Sequence, residues 1–210
     1  MNEKKLAALT FDDGPNTVTT PQVLEKLEKY GVVASFFVVG DNITPESERV
    51  MKKAAEMGCE INNHSRTHSV MPEQSPQQMR AETDFTSGII ERVTGKAPRF
   101  FRPPYIAVSE AMFESIPLTF IAGIGAQDWL DEVSAEERAQ RILDAVKDGD
   151  IILLHDMEGN TATVNALDTI IPELISRGFE LVTVGGLFAA KGVTPKRGVV
   201  YSNVLQENGG

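Results

Sequence analysis

Leu6-Ala-Ala-Leu-Thr-Phe11 runs straight into Asp12-Asp13-Gly14-Pro15, and the junction between the two decides how the chain folds. A short uncharged run bounded by a turn signal reads as a buried strand. A strand without polar alternation has both faces covered, as in a parallel sheet packed beneath helices. Taken alone, Asp12-Asp13-Gly14-Pro15 is an ordinary strand-ending turn.

The same grammar repeats outward from that junction. Val32 to Val39, Cys59 to Asn63, Phe100-Phe101, Leu118 to Gly123, Ile151 to Leu154 and Phe179 to Val184 read as further strands. Between them lie amphipathic segments. Pro21 to Tyr30 carries Val23, Leu24 and Leu27 on one face and stops at Gly31. Thr44-Pro45 opens a helix that ends at Gly58. Ser75 caps a long helix ending near Gly95, and Ser134-Ala-Glu-Glu137 is a capping box for a helix to Lys147. Ala166 to Ser176 is the last of these helices. Strand–helix alternation with apolar strands predicts an α/β fold, a distorted (β/α) barrel of about seven parallel strands. A doubly wound open sheet is the alternative. Neither an internal repeat nor a linker divides the chain, so residues 1–210 are expected to form a single domain.

Composition narrows the function. The 210 residues are 41% hydrophobic and 24% charged, ordinary for a globular protein. Lys plus Arg is 20 against 30 for Asp plus Glu, a formal net charge of −10. Such a chain is repelled by phosphate, which argues against nucleic acid or an anionic membrane surface and favours a neutral or cationic substrate. Cys59 is the single cysteine, so no internal disulfide can form. No stretch reaches the roughly 18 apolar residues of a membrane span. Met1 to Lys5 is charged and Leu6 to Phe11 is too short for the apolar core of a signal peptide. The Gln206 to Gly210 tail reads as the start of a linker or a frayed end.

Ionisable residues stand at the C-terminal ends of four predicted strands: Asp12-Asp13, His64, Arg102 and His155. In barrels of this kind that rim carries the active site. The chain has only three histidines, His64, His68 and His155. His64 and His68 are four apart, so a helical turn or tight loop can aim both at one ion. With a carboxylate from Asp12 or Asp13 they make a two-His-one-carboxylate site with open positions. His64-Ser-Arg-Thr-His68 lacks the glutamate of the zinc-protease spacing, so the spare aspartate is the candidate base. There is no Gly-x-Ser-x-Gly elbow, no Walker loop, and only an incomplete dinucleotide fingerprint at Gly123-Ile-Gly125. Cys59, among apolar neighbours, reads as inert core.

Thr10-Phe-Asp-Asp-Gly-Pro15, His64-Ser-Arg-Thr-His68, Arg102-Pro-Pro-Tyr105, Asp128-Trp129 and Ile152-Leu-Leu-His155 follow in that order. Together they resemble carbohydrate esterase family 4, the polysaccharide deacetylases with a NodB homology domain, across most of the chain. The resemblance implies a distorted barrel and metal-dependent removal of acetyl groups from sugars. It implies Asp13, His64 and His68 as metal ligands and Asp12 as the general base, oriented by Arg102. It implies the Tyr105 backbone N–H as an oxyanion donor, and His155 as the general acid, oriented by Asp128. Trp129 and Leu154 correspond to walls of the acetyl pocket. The cofactor is expected to be one divalent transition metal, Zn, Co, Ni or Mn. Arg102 as a plain ion-pair residue, Trp129 as core and Asp128 as a turn residue are the bland alternatives.

Two positions depart from the family pattern. Ile106 follows Tyr105 where glycine is usual, and Gly125 stands where an acid or small polar residue usually begins the fourth motif. Phe100 to Asp156, and Ala166 to Val184 after it, look most like the acetylxylan-esterase branch attached to clostridial xylanases, which favours O-acetyl xylan. Alternatives are an N-deacetylase of N-acetylglucosamine polymers such as chitin oligomers or peptidoglycan, an amide hydrolase acting on a small molecule, and an inactive sugar-binding relic. The expected partner is an acetylated polysaccharide or oligosaccharide, met by a monomer. Extracellular action as a domain of a longer secreted protein is expected, with a cytoplasmic location as the alternative.

Overall fold

The computed structural model describes residues 4–206. The sequence readings at Met1 to Glu3 and Glu207 to Gly210 lie outside the described residues. Strands β1 (Lys5–Asp12), β2 (Ser35–Val38), β3 (Glu60–Asn63), β4 (Phe100–Phe101), β5 (Thr119–Ile121), β6 (Ile124–Gly125), β7 (Ile151–His155), β8 (Phe179–Leu181) and β9 (Val200–Tyr201) make one curled sheet. Its order is β6-β7-β1-β2-β3-β4-β5-β9, with β8 also on β1. Every paired strand is parallel to its neighbour. Helices α1 (Thr19–Tyr30), α2 (Pro45–Glu56), α3 (Pro76–Thr94), α4 (Glu110–Ser115), α5 (Ala135–Ala145), α6 (Thr161–Ser176) and α7 (Val184–Ala190) cross between strands. The fold is the distorted α/β barrel. Beyond β9, the Ser202 carbonyl accepts a bond from Ile151 N–H at 2.9 Å, bringing the far end of the sheet beside β7.

Pleating divides β1 into two faces. Ala7, Leu9 and Phe11 join the cluster packed between sheet and helices, with Val23, Leu24 and Leu27 of α1 and Ile170 and Ile171 of α6. Leu6 and Ala8 turn to the barrel interior with Phe37, Phe100, Ile151 and Tyr201. Each fully buried side chain of this size contributes about 1.5–3 kcal/mol. Thr10 and Asp12 continue the interior face, so polar groups appear only at its C-terminal end.

The capped starts read at Ser75 and Ser134 form as capping boxes at α3 and α5, and α2 has one as well. At α2, Thr44 Oγ1 accepts from Ser47 N–H at 3.2 Å while Ser47 Oγ accepts from Thr44 N–H at 2.9 Å. Helix α1 begins at Thr19 rather than Pro21, because Asn16 Oδ1 takes the N–H of Thr19 at 2.6 Å.

Three local readings are corrected. The strand read at Leu118–Gly123 is shorter, Thr119–Ile121, and a second short strand, β6, follows directly after the run. β5 pairs with β4 and β9 while β6 pairs with β7, and the chain switches sides at Gly123. A Cβ there would lie 2.8 Å from the Ile151 carbonyl oxygen, so only glycine passes. Val184 opens α7 instead of closing β8, since Thr183 Oγ1 accepts the Gly186 N–H at 3.0 Å and starts the helix. Helix α6 begins at Thr161, five residues before Ala166.

Candidate active site

All four flagged strand ends converge at one rim. Asp12 ends β1, His64 follows β3, Arg102 follows β4 and His155 ends β7. Successive side chains of an extended segment point to opposite faces. Asp13 escapes that rule because its φ is 76°, a left-handed turn that aspartate tolerates. Its carboxylate therefore swings to the same cluster as Asp12. Asp13 Oδ1 lies 3.5 Å from both His64 Nε2 and His68 Nε2, and Asp12 Oδ2 lies 3.7 Å from His64 Nε2.

His64 is buried and its Nδ1 donates to the Arg102 carbonyl at 2.6 Å, which leaves Nε2 bare toward Asp13. Burial lowers its pKa against the pull of Asp12 and Asp13, favouring the neutral ring that a metal requires. The His64-to-His68 segment is a loop, with Ser65 and His68 at φ 65° and 56°. Sequence reasoning missed what holds it. Glu82 of α3 accepts the N–H groups of Arg66 and Thr67 at 3.0 and 2.8 Å, and Thr86 Oγ1 donates to the Ser65 carbonyl at 2.9 Å. An acid six positions after a helix's first residue carries no motif that would have flagged it.

Ligand atoms of Asp13, His64 and His68 all lie within 4.8 Å of one another. One carboxylate and two imidazoles, one with its tautomer set by a backbone carbonyl, form a donor set that fits a divalent transition metal.

Arg102 is fully buried between the base candidate and the sheet. Its Nη1 donates to Asp12 Oδ1 at 2.5 Å and its Nη2 to the Ala122 carbonyl at 2.6 Å, while its plane covers the Phe37 ring at 4.2 Å. That carbonyl is freed by the strand break between β5 and β6. Across the rim, Asp128 Oδ1 pairs with His155 Nδ1 at 2.8 Å and Asp128 Oδ2 accepts the His155 backbone N–H at 2.8 Å. Burial pulls the His155 pKa down. The Asp128 hydrogen bond and the charges of Asp12, Asp128 and Asp13 outweigh it and push the imidazole up to about 9.

Tyr105 is 67% exposed and sets its ring edge-on to His68, centroids 4.7 Å apart. It lies in a single 3-10 turn at φ 59°. The turn's backbone bonds are donated by Ile106 and Ala107, so neither consumes the Tyr105 N–H. Trp129 is half exposed and packs edge-on to His155, ring centroids 5.5 Å apart.

Leu154 does not line the site. It is fully buried in the cluster between sheet and helices, opposite Phe11 in register. Residues 151, 153 and 155 share the interior face of β7, so Leu153, register partner of Thr10, is the leucine beside His155.

A groove of about 340 Å³ leads away from Asp13 past Asn16, Asp41, Asn42, Met157 and Glu158. No lysine or arginine lines it.

Residues 1–119 match the polysaccharide deacetylase family. The chain is 46% identical over 202 residues to a bifunctional xylanase/deacetylase of Pseudobutyrivibrio xylanivorans, covering 96% of this chain and 33% of that protein. The chain thus spans about a third of that curated relative's length. The Xyl-CE4 domain of a multidomain xylanase from the hindgut metagenome of Trinervitermes trinervoides is 45% identical with a TM-score of 0.94, covering 96% of this chain and 98% of that one. A family 4 acetyl xylan esterase from Clostridium thermocellum, solved in complex with a cobalt ion, is 43% identical with a TM-score of 0.93, covering 96% of this chain and all of that one.

Proposed function

The chain belongs to the polysaccharide deacetylase family, and from that footing we propose that it hydrolyses O-acetyl esters on a neutral polysaccharide, acetylated xylan above all. One observation carries the reading: an Asp12–Arg102 pair and a His155–Asp128 pair flank a single Asp13-His64-His68 cluster. A base and an acid on either side of a metal triad are what acyl hydrolysis needs.

A divalent metal held by Asp13, His64 and His68, whether Zn, Co, Ni or Mn, would polarise the acetyl carbonyl and acidify water at the site. Asp12 takes a proton from the water that attacks the acetyl carbon. Arg102 ties up one Asp12 oxygen and leaves the other, Oδ2, facing the triad. The Tyr105 N–H faces the oxygen on which negative charge develops. As the carbon–oxygen bond to the sugar breaks, His155 gives its proton to the departing oxygen, and acetate and a free sugar hydroxyl result. Asp128 holds Nδ1, which leaves Nε2 for the substrate. Trp129 and Leu153 take the acetyl methyl.

The groove's carboxylates and amides suit sugar hydroxyls and repel acidic chains, in keeping with the net charge of −10. The xylanase relatives support extracellular action as one module of a longer enzyme. Among the described residues no helix is long and apolar enough to cross a membrane. Acetate release measured side by side on acetylated xylan and on chitooligosaccharides tests the proposal. Faster release from xylan is expected, and release from the chitooligosaccharides alone overturns it.

A further inference from the structure

Arg138 of α5 is among the largest fully buried side chains, yet its four hydrogen bonds all go to neutral oxygens. Nη1 donates to Asn160 Oδ1 at 2.5 Å and to Thr163 Oγ1 at 3.0 Å. Nε and Nη2 donate to the carbonyls of Val133 and Leu130 at 2.8 and 2.9 Å, in the loop that follows Asp128 and Trp129.

Those contacts dictate where every neighbouring proton goes. A hydroxyl has one proton to donate. With its oxygen accepting from Arg138, Thr163 spends that proton on Asp128 Oδ2 at 2.8 Å. An amide whose oxygen faces a guanidinium must aim its NH₂ the other way. Asn160 Nδ2 accordingly donates to the backbone carbonyls of Asp128 at 3.2 Å and His155 at 3.0 Å. Asn160 is also the N-cap of α6, where an asparagine ordinarily spends its oxygen on the helix's first N–H groups. Here it makes no capping bond, because that oxygen belongs to Arg138.

We propose that Arg138, Asn160 and Thr163 are positioning residues that lock the Asp128 carboxylate and the His155 ring in the one arrangement from which His155 hands its proton to the leaving group. Neither oxygen of Asp128 is free to rotate away: Oδ1 holds the ring, and Oδ2 is held by Thr163 and by the His155 N–H. The inference rests on the reading of His155 as proton donor.

Leaving-group dependence separates this role from a merely structural one. An aryl acetate expels a stabilised phenolate and needs little acid help, whereas a sugar ester expels an alkoxide and needs much. Thr163→Val removes one hydroxyl at nearly constant shape. Its loss of kcat on acetylated xylo-oligosaccharide is expected to exceed its loss on 4-nitrophenyl acetate by about 10-fold, within the span of a general acid's contribution. Thr163→Ser restores the sugar-ester rate, and Arg138→Met repeats the valine pattern if it folds. Equal fractional losses on both esters, or no rescue by serine, overturn the proposal. His155→Ala in the same assays tells the failures apart. Equal losses there sink the donor reading itself, whereas selective loss in His155→Ala without selective loss in Thr163→Val sinks only the positioning role.

Discussion

Asp12 and His155 are register partners on the adjacent parallel strands β1 and β7. The proposed base and acid, borne on neighbouring strands, need no loop to bring them together, because the ladder sets their spacing. Their orienting partners arrive from elsewhere: Arg102 from the end of β4, Asp128 from the loop after β6. The pair thus keeps a rigid backbone while its side chains are aimed independently.

Metal removal should abolish the activity. Chelator treatment is expected to stop acetate release, and an added divalent ion to restore it. His64→Ala and His68→Ala should each lower bound metal, measured by elemental analysis. Their circular dichroism should remain that of the parent, since neither histidine belongs to a core cluster. Full turnover in a metal-free sample would sink the assignment.

The two aspartates should separate base from ligand. Asp13→Asn is expected to weaken metal binding. Asp12→Asn should keep the metal and lose about 10²- to 10⁴-fold in kcat, the worth of a general base. Equal metal content and equal rates in both variants would show the pair to be misassigned.

The pH–rate profile follows from His155. Protonated below a pKa of about 9, it should support activity up to that point, and the rate should fall above it. Asp128→Asn removes the acceptor charge while burial stays, so the descending limb should move to lower pH. Stability obeys the same sign. A folded pKa raised above 6.5 contributes stability fully present below 6.5 and lost as pH rises through about 9. Chemical denaturation should therefore find Asp128→Asn more destabilised at pH 6 than at pH 10. A limb that does not move in Asp128→Asn would remove Asp128 from its role.

Leu153 and Leu154 should part company. Leu154→Ala opens a cavity in the helix–sheet layer and is expected to cost about 2–5 kcal/mol, with kcat/KM per folded molecule close to the parent. Leu153→Ala should instead raise KM for acetylated substrates. Denaturant titration and steady-state kinetics on both variants decide; a raised KM in Leu154→Ala alone would restore it to the pocket.

Ile106 sits at φ 54°, a left-handed conformation that a β-branched side chain adopts only under strain. Ile106→Gly is expected to relieve about 1 kcal/mol, net of the backbone entropy glycine adds to the unfolded chain. The thermal midpoint should rise. A fall would mean that the half-exposed side chain contributes more packing than its backbone costs.

Much of this molecule was readable before any coordinates. Apolar runs such as Leu6 to Phe11 can be satisfied only with both faces covered, so the parallel sheet and its helices follow from local pattern, and Asp12, His64, Arg102 and His155 stand out as ionisable residues at the C-terminal ends of the strands. The capping boxes at Ser75 and Ser134 are local as well, since donor and acceptor sit three residues apart. Tertiary structure alone decided the rest. β6 and β9, two residues each and without the paired aromatics of β4, are too short to show a period. Which of Leu153 and Leu154 faces the site depends on the pleat of β7 against β1, and a slip of one residue reverses it. The left-handed turn at Asp13, which lets adjacent aspartates share one cluster, follows from a loop held by Asn42 and Asp156. The grip of Arg138, Asn160 and Thr163 on Asp128 joins residues 22 to 35 positions apart. Hydrogen bonds of that reach are set by how α5 and α6 pack on the sheet, and no spacing along the chain encodes them.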